Sequence, residues 1–144
     1  MLDLIQREFV VDVPVSTAWK HLAQVEHWPT WAKHIKHVEL NPKGELTLST
    51  VGSFHLANGV KSDFKMIEIN PSRNWDWVGP FLWLTVHYDH KFEKVDERRT
   101  KLIWMVSADG FGVSIFGRLF AVIYNSNLDK AIPHLISEMN ALKE

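Results

Sequence analysis

The sequence predicts an α+β domain in which one antiparallel sheet closes around a long C-terminal helix. Two observations carry this expectation. Leu128, Ile132, Leu135, Met139 and Leu142 recur at steps of four, three, four and three, which is one continuous stripe on a helix. The stripe traces back through Asn125 or Tyr124 to Ala121 and Gly117, so the expected helix covers Val113 to Glu144. Nearly everything before it alternates apolar and polar residues between short turn signals, the pattern of antiparallel strands. A twisted sheet with one apolar face must cover that face, and the last helix is the only element long enough.

Each element has its own local signal. Met1 to Val13 is β-branched and alternating, with Ile5, Arg7, Phe9 and Val11 on one face, and Pro14 ends it. Ser16 is positioned to cap a short helix that turns Ala18, Trp19 and Leu22 inward. Glu26 to Trp31 reads as a second short helix or turn with Pro29 early in it, where its missing N–H costs little. Ile35 to Leu40 is a strand, followed by the loop signal Asn41-Pro42-Lys43-Gly44. Val51 to Leu56 and Val60 to Ile69 form a hairpin through Ala57-Asn58-Gly59. The apolar face of the second switches near Met66 and Ile67, which signals a bulge or burial on both sides. Pro71 to Asn74 is a turn. Trp75 and Trp77 share one face of a short strand that Gly79-Pro80 ends. Phe81 to Val95 is the longest strand, Asp96 to Arg99 a charged turn, and Thr100 to Ala108 the return strand. The count is seven strands, two short helices after the first, and one long helix.

Composition bounds the function. A chain of 144 residues without linker or repeat is a single domain, 1–144, large enough for a substantial core. A net charge of −1 gives no electrostatic footprint for nucleic acid. The absence of cysteine removes disulfides, thiolate nucleophiles and Cys-based zinc sites, and it suits a reducing cytoplasm. Asp3, Arg7 and Glu8 break the apolar content of the N-terminus, unlike a signal peptide. The apolar run Phe111 to Tyr124 contains Arg118 and is too short to span a bilayer. Seven tryptophans and eight phenylalanines are an excess of large rings, which often line ligand sites.

Several short motifs occur in one order: Val13-Pro14 then Ala18-Trp19, Trp28-Pro29-Thr30-Trp31, and Val51-Gly52-Ser53. Ile67-Glu68-Ile69-Asn70-Pro71 before Trp75, His90-Lys91-Phe92-Glu93, Thr100-Lys101-Leu102-Ile103-Trp104 and the terminal helix follow. In these the chain resembles the START-like, helix-grip (SRPBCC) superfamily, in its polyketide cyclase/dehydrase and lipid-transport group. The resemblance covers nearly the whole chain. It implies a helix-grip fold, a seven-stranded antiparallel sheet wrapped around the C-terminal helix with a ligand cavity between them. It implies no invariant catalytic set, and the fold hosts several functions.

Strand parity selects the candidate site without the resemblance. Leu82, Leu84, Val86, Tyr88, His90 and Phe92 share one face of the long strand, while the opposite face is mostly polar. His90 is thus the histidine that alternation turns inward, with Tyr88 two residues away. It is either a group that orients or exchanges a proton with a ligand, or a core histidine satisfied by the protein. Arg7 could hold a ligand carboxylate, or its stem covers apolar surface while its head reaches water. Trp75, Trp77 and Trp104 are wall candidates whose alternative role is core packing. Phe116, Phe120 and Tyr124 share a helix stripe, and Asn125 interrupts the other, as a ligand contact or a satisfied amide.

No metal site or cofactor motif is expected. His34 and His37, like His87 and His90, are three apart, which on a strand means opposite faces. His21, His27, His55 and His134 read as surface groups, and Asp63, Glu68 and Asp76 give no catalytic pair. The expected function is a cytoplasmic carrier or sensor of one small apolar molecule, with aromatic and polycyclic compounds among the candidates. The alternative is a cyclase or dehydratase moving protons through His90, Tyr88 or Tyr124. A third reading makes Phe111 and Phe116 a protein contact patch. Expected partners are the small ligand, with no nucleic acid and no transmembrane segment, in a monomer or homodimer.

Overall fold

The fold was determined as a computed structural model and is described for residues 1–142. Seven strands form one antiparallel sheet. They are β1 (Leu2–Val11), β2 (Ile35–Asn41), β3 (Val51–Leu56), β4 (Lys61–Asn70), β5 (Asn74–Phe81), β6 (Leu84–Asp96) and β7 (Arg99–Asp109). Their order across the sheet is β1-β7-β6-β5-β4-β3-β2. Sequential strands therefore pair from β2 to β7, and β1 joins last beside β7. The chain leaves β1 through α1 (Val15–Leu22) and a 3-10 helix (Val25–Thr30), then starts β2 at the opposite edge. The C-terminal helix α2 runs Val113–Asn140. Leu142 lies just past it, and Lys143 and Glu144 of the expected helix lie outside the described residues.

The two short helices differ in detail from the sequence reading. Pro14, not Ser16, precedes the first helical residue, and no side chain caps it. Proline fixes φ near the helical value, so the chain can turn two residues earlier. Val25 and Trp28 are both buried in the 3-10 helix, which places Pro29 near its end instead of its start. The bulge expected at Met66 and Ile67 is present as a register shift between Met66 and Glu68.

Gly79-Pro80 does not end β5. Pairing with β6 continues through Gly79↔Val86, Pro80↔Thr85 and Phe81↔Leu84. The pairing of β4 has already stopped at Val78, so Pro80 breaks no ladder on that side. Leu82-Trp83 makes the hairpin turn, with Leu82 at φ 56°. Leu82, placed inward by alternation, is consequently 58% exposed.

The core lies between the inner face of the sheet and the helices. Leu128, Ala131, Ile132, Leu135 and Met139 bury the C-terminal half of α2. Gly117 is the close approach in its N-terminal half: a Cβ there would sit 3.3 Å from Leu4 of β1. The outward side of that half exposes Ile115, Leu119, Val122 and Ile123. No helix among the described residues is long and apolar enough to cross a membrane.

Gly52 holds β2 and β4 together across β3. A Cβ at this position would meet the Phe64 ring and lie 2.6 Å from the Glu39 carbonyl oxygen. Backbone cannot yield as a flexible side chain does. Gly52→Ala should therefore cost about 1–3 kcal/mol of stability, read as a lower urea midpoint. An unchanged midpoint would mean that the strands separate more easily than this packing allows.

Candidate functional site

Register sets two rows of side chains on the inner face. Trp75 of β5, His90 of β6, Trp104 of β7 and Arg7 of β1 are successive partners in the first. Trp77, Tyr88, Val106 and Ile5 are successive partners in the second. Parity on four adjacent strands thus converges nitrogen-bearing rings on one patch.

His90 is the centre of that patch. Trp75 stacks on its ring at 4.8 Å, and Trp77 meets it edge-on at 4.9 Å. Trp28 from the 3-10 helix and Trp104 complete the enclosure at 5.9 and 6.1 Å. Burial pushes the His90 pKa down to about 3, and nearby backbone groups of Trp75 and Tyr88 oppose it only in part. The imidazole is therefore neutral at physiological pH. Its Nδ1 is buried without a hydrogen-bond partner, as are Trp75 Nε1 and Trp104 Nε1. The contrast with two other indoles is informative. Trp28 Nε1 donates to the Leu22 carbonyl at 2.8 Å, and Trp83 Nε1 to the Phe111 carbonyl at 2.7 Å.

A second cluster adjoins the first through β6. Tyr88 faces Tyr124 at 5.6 Å and Phe120 at 6.2 Å, Phe120 stacks on Tyr124, and Phe81 closes on Phe120 at 5.0 Å. Burial holds both phenols above the usual range, and for Tyr88 the neighbouring Tyr124 adds to it. Both tyrosines are neutral hydrogen-bonding groups at physiological pH. Phe116 packs instead against Trp83 at the β5–β6 hairpin.

Arg7 and Asn125 meet each other. Arg7 Nη1 donates to Asn125 Oδ1 at 2.7 Å and to Asp129 Oδ1 at 2.8 Å, which ties β1 to α2. Trp28 is the site residue that sequence reasoning missed. Its motif was visible, but strand parity says nothing about where a 3-10 helix aims its rings.

The opposite face carries a row of carboxylates, because Glu68, Asp76 and Asp89 are cross-strand partners on β4, β5 and β6. The Asp76 pKa is raised to about 7, first by partial burial and then by the charges of Asp89 and Glu68.

Comparison with known proteins now bears on this geometry. The family model described as polyketide cyclase / dehydrase and lipid transport matches residues 4–135. The chain belongs to this family. Among solved structures, a protein from Thermobifida fusca is similar with a TM-score of 0.77 at 14% identity, covering 97% of this chain and 95% of that one. The protein XoxI from Bacillus cereus is similar with a TM-score of 0.74 at 12% identity, over 100% of this chain and 99% of that one. The di-domain ARO/CYC BexL has a TM-score of 0.72 at 16% identity, with 99% of this chain matching 47% of that one. At these identities the likeness is one of fold. No curated protein matches the chain. This family member thus has the sheet and gripping helix that its motifs implied, with a tryptophan-enclosed histidine on the inner face.

The two shifted groups make opposite predictions for stability against pH. His90 has a folded pKa below its unfolded value, so the unfolded chain takes up the proton first as pH falls below about 6.5. Its contribution is full above that pH and shrinks by roughly 2 kcal/mol by pH 5. Asp76 has a raised folded pKa, so its contribution is present near pH 4 and is lost as pH rises to about 7. Discounted for solvent screening of a half-exposed group, that is on the order of 1 kcal/mol. Urea unfolding at pH 5 and 8 should show His90→Gln with less acid-side loss and Asp76→Asn with less alkaline-side loss. Parallel profiles for wild type and both variants would contradict these environments.

Proposed function

We propose that this protein binds one small, largely apolar molecule bearing a hydrogen-bond acceptor, as a carrier or sensor. The ligand lies against the inner face of β5–β7 and the N-terminal half of α2. One observation carries the reading: His90 Nδ1, Trp75 Nε1 and Trp104 Nε1 are all buried and unpartnered, and both indole rings neighbour the His90 ring. An unsatisfied buried donor costs about 1–3 kcal/mol, and native proteins rarely retain such groups without a use. Two indole N–H groups are donors only, so the matching ligand atom is an acceptor such as a carbonyl or ether oxygen. The surrounding rings supply apolar contact, and Tyr88, Phe120 and Tyr124 extend that wall along α2.

A second reading, suggested by the family description, is cyclase or dehydratase chemistry with His90 as base. The environment of His90 favours the carrier. General bases work best with a pKa near the operating pH, and one held near 3 draws protons weakly. Tyr88 and Tyr124, kept neutral, serve as hydrogen-bond donors more readily than as bases. The exposed Ile115, Leu119 and Val122 of α2 also leave room for a homodimer contact through that face.

Native mass spectrometry of protein purified from its own host should show a bound mass that denaturation releases. An aromatic ketone probe such as anthraquinone should quench tryptophan fluorescence on binding. Trp104→Phe keeps an aromatic ring on the wall, a smaller one, and removes one donor, so it should weaken probe binding about 3–10-fold. Quenching with unchanged affinity in Trp104→Phe would place the probe elsewhere and count against the site.

A further inference from the structure

We propose that the outer face of the sheet's edge carries a site for a first-row divalent cation such as Zn2+, formed by His37, Glu39 and His55. No spacing along the chain announces it. The site exists because β2 and β3 pair in a particular register: His37 lies opposite His55, and Glu39 opposite Ser53. His37 and Glu39 are two apart on one strand and so share a face, and the cross-strand partner adds the second imidazole to that face. Val38 and Phe54, between them, point inward, with Val38 in the core and Phe54 stacked on Trp28.

The donor atoms converge. His37 Nε2 lies 3.3 Å and His55 Nε2 2.9 Å from Glu39 Oε1, and one ligand atom from each residue lies within 4.8 Å of the others. A tetrahedral zinc with bonds near 2.0–2.1 Å sets neighbouring ligand atoms ~3.3 Å apart. The two distances to Glu39 Oε1, 3.3 and 2.9 Å, bracket that spacing, and side-chain rotation alone adjusts the third, between the two imidazole nitrogens. The two rings already stack in parallel, with centroids 4.0 Å apart and planes 12° apart, so both edges are presented to the same carboxylate oxygen.

The hydrogen bonding is incomplete without a cation. His55 Nε2 is close to Glu39 Oε1 yet lacks hydrogen-bond geometry to it, and it has no other partner. One carboxylate oxygen cannot lie in the plane of two stacked rings at once, whereas a cation between the three atoms satisfies each lone pair. The nearby charges are arranged to permit this. Lys61, opposite His55 on β4, leans 3.8 Å from Asp63, which also accepts a hydrogen bond from Ser53 at 2.7 Å. The Asp63 carboxylate thereby offsets part of the positive charge of Lys61. Glu39 is held below the usual carboxylate range, first by its hydrogen bond from His37.

Two imidazoles and one carboxylate select zinc, copper or nickel over magnesium or calcium. Three protein ligands leave at least one coordination position for water or a further donor, and the site adjoins an open groove of about 660 Å³ along β2–β5. A bound ion also fastens the terminal strand β2 to β3, at the edge where unpaired backbone is most vulnerable.

The test uses the full chain, stripped with EDTA and dialysed. Titration with ZnCl2 by calorimetry should show one saturable equivalent. His37→Ala and His55→Ala should each weaken it roughly tenfold or more, since losing a ligand costs at least as much as losing the support behind one. His134→Ala, on the exposed side of α2, should leave it unchanged. In the wild type, Zn2+ should shift the imidazole 15N resonances of His37 and His55, which tests the site without any variant. The proposal is overturned by no saturable binding at about 100 µM Zn2+, by equal binding in a folded His37→Ala/His55→Ala protein, or by shifts confined to other histidines.

Discussion

Alternation on β5, β6, β7 and β1 is the constraint on which the rest of the structure depends. It brings Trp75, His90, Trp104 and Arg7 into one row and Trp77 and Tyr88 into the next. Magnitudes explain why the row is retained although three of its nitrogens lack partners. Burying an indole removes roughly 150–250 Å² from water, about 4–6 kcal/mol at 25 cal/mol per Å². An unsatisfied N–H returns about 1–3 kcal/mol of that. The rings therefore stay buried with their polar edges unpaired, and the proposed ligand is what would satisfy those edges.

The long helix divides into two parts under this constraint. Its C-terminal half packs Leu128, Ile132, Leu135 and Met139 into the core, while Glu138 and Asn140 near its end bond with His21, Thr30 and Asp12. Its N-terminal half touches the sheet through Gly117 against Leu4, through Phe120 and Tyr124 against Tyr88, and through the bonds of Arg7 with Asn125 and Asp129. The polar contacts fix the helix at one edge of the sheet, beside β1. They leave the aromatic side chains of α2 facing the patch around Tyr88, next to His90.

The architecture was legible in the sequence because its signals are periodic. A stripe of period 3.6 and strands of period 2 yield seven strands and the helix from Val113, and parity alone turns His90 inward. The misses arose where periodicity carries no information. Gly79-Pro80 looked like a strand end, yet proline is tolerated once β4 has ceased to pair, and the turn moved to Leu82-Trp83. Trp28 reaches His90 from a 3-10 helix, whose facing cannot be counted from the sequence. Asn125 could be read as ligand contact or satisfied amide, and only the fold places Arg7 within reach of it. The meeting of His37 with His55 depends on register across the β2–β3 loop, 18 residues apart in the chain. A scan for spacing within one strand is blind to such a pair.

The account rests on the unpaired nitrogens around His90, and a high-resolution crystal structure of protein purified from its native host tests that directly. The account predicts density for a bound molecule, with an acceptor atom about 2.7–3.2 Å from Trp75 Nε1 or Trp104 Nε1 and a polar atom beside His90 Nδ1. An interior with no added density, in which a flipped His90 and both indoles donate to protein carbonyls, would contradict it.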